Sequence, residues 1–73
     1  MRMWRIRSGS LRCRIHGRDA VEAFLSAVRQ RSPRSLGAIF EASPLNGPDK
    51  GVVRYGVCER ILRKARLWKD EPG

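Results

Sequence analysis

Acids, histidine, cysteine and aromatics are all scarce in this 73-residue chain, and each shortage closes off a class of function. One histidine and two cysteines are too few for a structural zinc centre, which normally takes four such ligands. Two cysteines are likewise too few for the disulfide framework of a small secreted domain, so the expectation is a cytoplasmic protein with reduced thiols. No window approaches the roughly 18 apolar residues of a spanning helix. No apolar run of signal-peptide length follows the basic "MRMWRIRSGSL". Neither a Walker pattern nor G-x-G-x-x-G is present, so no cofactor and no small-molecule substrate are expected.

What the chain has in excess is arginine. Sixteen lysines and arginines against seven acids give a formal net charge of +9. Such a charge favours anionic partners. Thirteen of the sixteen bases are arginine, a bias that GC-rich codon usage also produces. A hydrophobic fraction of 41% beside 32% charged residues belongs to a folded domain rather than a disordered one. A chain of this length buries only about 60% of the surface its unfolded form exposes, which leaves room for one small core and no deep cleft.

Periodicity supplies the elements. In "WRIRSGSLRCRIHGRDA" Trp4 and Ile6 alternate with Arg5 and Arg7, and Leu11, Cys13 and Ile15 alternate with Arg12, Arg14 and His16. Ser8–Gly9–Ser10 is the turn of a hairpin. A period of two puts the apolar set on one face and the four arginines with His16 on the other. Gly17 closes the hairpin, and Asp19 with Glu22 reads as a capping-box-like helix start. Val21, Phe24, Leu25 and Val28 form an apolar stripe, with Ala20, Ala23 and Ala27 adding helix propensity. Pro33 stops this helix, and Ser32 before it is expected in extended geometry.

The second half repeats the plan. "LGAIFEA" (Leu36 to Ala42) reads as a strand, "SPLNGPDKG" as a long connection and "VVRYG" (Val52 to Gly56) as a second strand. "VCERILRKARLW" places Cys58, Ile61, Leu62, Ala65 and Trp68 on one helical stripe, with Glu59 paired to Arg63. The fold expected is α+β, in the order ββαββα, with a four-stranded mainly antiparallel sheet and both helices packed on one face. Residues 1–69 form the single domain, and 70–73 a disordered tail.

Catalytic and metal readings fare badly. Cys13 and His16, three apart on a strand, fall on opposite faces. His16 is the only histidine a Ser8, Ser10 or Asp19 device could use, and Asp19 is already the helix cap. The expectation is a non-enzyme without a metal, with a small ribonuclease acting through His16 as a remote third reading.

Charge distribution carries the functional reading. Residues 1–18 hold six arginines and no acid, whereas residues 36–73 hold seven bases and five acids. Like charges facing each other across a hairpin destabilise it. Glu41 is the one obvious internal carboxylate to offset them. Arginine's planar fork suits phosphate. Arg5, Arg7, Arg12 and Arg14, joined by Arg18 and Arg54 with Arg2 nearby, are the residues expected to hold RNA or DNA, and Tyr55 is the aromatic available for stacking. Arg60, Arg63, Lys64 and Arg66 make a second basic surface that reads as a solvated helix face. The alternative is a protein–protein module, a second copy of the chain included, pairing through the apolar "LGAIF" if that strand lies at an edge.

Overall fold

The computed structural model describes residues 2–65. The elements are β1 (Arg2–Ser8), β2 (Leu11–Gly17), α1 (Ala20–Arg31), β3 (Ile39–Pro44), β4 (Arg54–Val57) and α2 (Cys58–Lys64), in the ββαββα order expected. All strand pairs are antiparallel, and the sheet order is β2-β1-β3-β4.

Gly9 and Ser10 form the two-residue loop of the first hairpin, and Gly9 supplies the positive φ (55°) such loops demand. That loop fixes the register, pairing Arg5 with Arg14 and Arg7 with Arg12. Trp4, Ile6, Leu11 and Ile15 turn inward and meet Phe40 and Ala42 of β3, Phe24 of α1, and Cys58 and Leu62 of α2 in one core. The Phe24 and Phe40 rings stack at 4.0 Å, nearly parallel. The buried indole of Trp4 donates to the Gly17 carbonyl at 3.0 Å.

Asp19 caps α1 as expected, its carboxylate accepting from the Glu22 amide at 2.8 Å. Which face of α1 is buried differs from the expected stripe. Ala23, Phe24 and Ala27 are fully buried, Leu25 and Val28 only partly, and Val21 is exposed. The alanines act in packing as well as in propensity: their small side chains let the helix lie close on the sheet.

Three local expectations are corrected. Ser32 is left-handed (φ 44°, ψ 58°), not extended, because its amide closes the helix end onto the Val28 carbonyl. Leu36–Ala38 lie outside β3, because Ser35 and Gly37 are stitched to the hairpin turn by Ser10 and Ser8. Val52 and Val53 precede β4, since Val52 closes a turn onto Asp49. In α2, Cys58 and Leu62 are buried and Glu59 pairs with Arg63 at 2.7 Å. Arg66, Trp68, Lys69 and the tail 70–73 lie outside the described residues.

Candidate nucleic-acid interface

Both helices lie against the face that carries Trp4 and Ile6, so the opposite face of the sheet is uncovered. Alternation along β1 and β2 delivers Arg5, Arg7, Arg12, Arg14 and His16 to that face, all exposed. The four arginines stand as two cross-strand pairs, and β3 continues the rows, with Glu41 opposite Arg7 and Ser43 opposite Arg5. Tyr55 of β4 is opposite Glu41 in turn. One line across the sheet therefore reads Arg12, Arg7, Glu41, Tyr55, about 14 Å from end to end at the usual strand spacing.

The line is not flat. Arg7, Arg12, Ile39, Glu41 and Tyr55 border a shallow depression of about 430 Å³. Tyr55 is 67% exposed, and the Ile39–Val57 pair beside it is half exposed. The apolar end of this face is the part that composition alone does not reveal. Its signal lay in parity, since Ile39 shares a face with Glu41, and Val57 with Tyr55.

Ion pairing separates the arginines into two groups. Arg18 donates to Glu22 from both its backbone and its guanidinium, the latter at 2.8 Å, and these bonds lower the Glu22 carboxyl below its ordinary range. Arg54 pairs with Asp49 at 2.6 Å, and Arg2 binds the same carboxylate. The Arg2 and Arg54 guanidiniums also lie 5.2 and 5.4 Å from the Trp4 ring centroid. Arg54 is opposite Ala42, whose side chain is buried on the helix side, so Arg54 points away from Tyr55. The structure thus does not bring Arg18 and Arg54 onto the arginine face: Arg18 pairs with Glu22 at the start of α1, and Arg54 shares Asp49 with Arg2 beside Trp4.

Arg5, Arg7, Arg12 and Arg14 take part in no ion pair among the described residues. Asp19, Glu22, Asp49 and Glu59 are engaged elsewhere, which leaves Glu41 as the one carboxylate on this face among the described residues.

No family model matches the chain, and no curated protein or solved structure matches it.

Cys13 is half-buried on the core side and His16 exposed on the open face, so they do not converge. Burial raises the Cys13 thiol, against a weaker opposing effect of Arg31. His16 is opposite Met3 at one end of the hairpin, whereas Ser8 and Ser10 lie at the turn at the other. Ser8 Oγ is occupied by the Ile39 carbonyl, the Gly37 amide and Cys58 Sγ. Ile39 and Phe40 offer no pairing edge, because β3 is an interior strand, and Leu36–Ala38 precede it. The outer strands are β2 and β4. No described helix is long and apolar enough to cross a membrane.

Proposed function

We propose that this chain is a non-enzymatic binding module that holds nucleic acid electrostatically on the uncovered face of its first hairpin. The observation that carries the reading is the pair of cross-strand couples, Arg5–Arg14 and Arg7–Arg12, exposed and free of ion pairs among the described residues. Guanidinium groups pressed together on a pleated surface raise the local positive potential, and an anionic polymer relieves their repulsion while releasing its counterions. The ligand-binding set is Arg5, Arg7, Arg12 and Arg14, with Tyr55 for stacking. We assign the chain to the cytoplasm, where nucleic acid is at hand and where free Cys13 and Cys58 stay reduced.

The test is a titration with short RNA and DNA at several salt concentrations. Neutralising four phosphates predicts a log–log salt slope of roughly −3 to −4. Reversing the charge of Arg5, Arg7, Arg12 and Arg14 should abolish binding. No binding at low salt overturns the proposal.

A second reading rests on β4. This outer strand presents Tyr55 and Val57 beside exposed Val52 and Val53, a surface a second copy could extend by strand pairing. A monomeric mass at high protein concentration and high salt, where charge repulsion is screened, rules it out.

A further inference from the structure

We infer that the open face is built for single-stranded nucleic acid presenting an unpaired guanine to Glu41. The inference rests on the nucleic-acid reading above and adds strandedness and base preference to it.

Strandedness follows from what lies beside the arginines. A duplex offers phosphates and groove edges but keeps its base faces stacked inside. It would make no use of Tyr55, 67% exposed, or of Ile39 and Val57, about half exposed, on the same face. A single strand uses both halves. Its phosphates meet the guanidinium groups, and an unstacked base lies on the tyrosine ring. The depression bordered by Arg7, Arg12, Ile39, Glu41 and Tyr55 brings the two kinds of contact together.

Base preference follows from Glu41, the one carboxylate on this face among the described residues. A negative charge amid four arginines weakens phosphate binding around it, so Glu41 is a cost to purely electrostatic attachment. It is half-buried, between Arg7 on one neighbouring strand and Tyr55 on the other. A base stacked on Tyr55 turns an edge toward it. An ionised carboxylate only accepts hydrogen bonds. Guanine's Watson–Crick edge offers N1–H and the N2 amino group side by side, one donor for each carboxylate oxygen. Adenine and cytosine offer one amino group next to a ring nitrogen whose lone pair repels Glu41. Uracil offers one N–H between two carbonyls. Guanine alone matches both oxygens, and only when unpaired, since pairing occupies that edge.

The experiment measures fluorescence anisotropy with labelled oligonucleotides about six nucleotides long. One is all uridine; the others carry a single central guanine, adenine or cytosine, each in ribo and deoxyribo form, with a duplex control. The guanine strand should bind roughly tenfold more tightly than all-uridine. Glu41→Gln should erase that preference and raise affinity for all-uridine, because it removes a repulsive charge. Tyr55→Ala should weaken every single strand by roughly tenfold and leave the duplex unchanged. A preference in either sugar series supports the inference. Equal affinity across the bases, duplex bound as well as single strand, or a guanine preference that survives Glu41→Gln overturns it. Those results leave the nucleic-acid reading standing if binding is still salt-sensitive; absence of any binding at low salt removes both.

Discussion

Arg7 stands directly opposite Arg12 across the β1–β2 ladder, and two residues along Arg5 stands opposite Arg14. Like charges at cross-strand positions oppose pairing, so the first hairpin of this sheet carries a built-in repulsion. Arg12→Thr keeps a β-favouring residue and removes one couple. It should stabilise the fold by about 0.2–1 kcal/mol at low ionic strength. The gain should shrink as salt screens the charges. Urea unfolding at two salt concentrations reads both effects. The same variant should bind nucleic acid more weakly, so stability and affinity move in opposite directions. Parallel losses in both would show that Arg12 is a packing residue.

Gly56 is opposite Phe40 in the β3–β4 register, and the Phe40 ring lies across it. A Cβ at position 56 would sit 2.6 Å from Phe40 Cζ and 3.2 Å from Ile61 Cδ1. The ring has little room to retreat, since it is stacked on Phe24 at 4.0 Å. Gly56→Ala should therefore cost about 1–3 kcal/mol by overpacking. Combining it with Phe40→Leu tests the cause. A steric clash makes the double variant less destabilised than the sum of the two single changes.

The sequence discloses local order better than it discloses which strands meet. The parity of Trp4 to Ile15, the Asp19 cap and the Glu59–Arg63 pair are all set by neighbours within a turn or a hairpin, and all are legible. The order β2-β1-β3-β4 depends on pairings more than thirty residues apart, such as Arg7 with Glu41. No periodicity encodes them. The arginine face was legible for the same local reason, and its limits were not. Arg18 and Arg54 look like further members until Glu22 and Asp49 are seen to hold them. The apolar Leu36 and Ala38 read as the start of β3, yet Gly37 is bound to Ser8 before the ladder begins.

Ser8 is the polar knot of that junction. Its buried hydroxyl donates to the Ile39 carbonyl at 3.1 Å, accepts from the Gly37 amide at 3.0 Å and lies 3.3 Å from Cys58 Sγ. Ser8→Ala would leave the Gly37 amide without its acceptor and loosen the start of β3 from the hairpin. The expected cost is about 1–3 kcal/mol, the range for a buried group left unsatisfied. Hydrogen exchange should locate the loss at Gly37 and along the β3–β4 ladder. If protection falls uniformly over the whole sheet instead, Ser8 is not a local tie.

Asp49 contributes to the acid limb of stability. Its carboxylate accepts from Arg2 and Arg54, and the Arg2 bond foremost lowers its pKa from 3.8 to about 2, while partial desolvation works the other way. In the unfolded chain the group titrates near its ordinary value of about 3.9. The folded state thus binds this proton less readily than the unfolded one. Asp49 therefore contributes stability that is complete above about pH 4 and is lost as pH falls toward 2. Asp49→Asn should lower stability at pH 7, where the two guanidiniums lose their shared anion over Trp4, and should flatten the pH dependence between 4 and 2. Urea midpoints across that window measure the slope directly. A variant whose acid limb stays as steep as the parent's would mean that Arg2 and Arg54 are held by Trp4 alone.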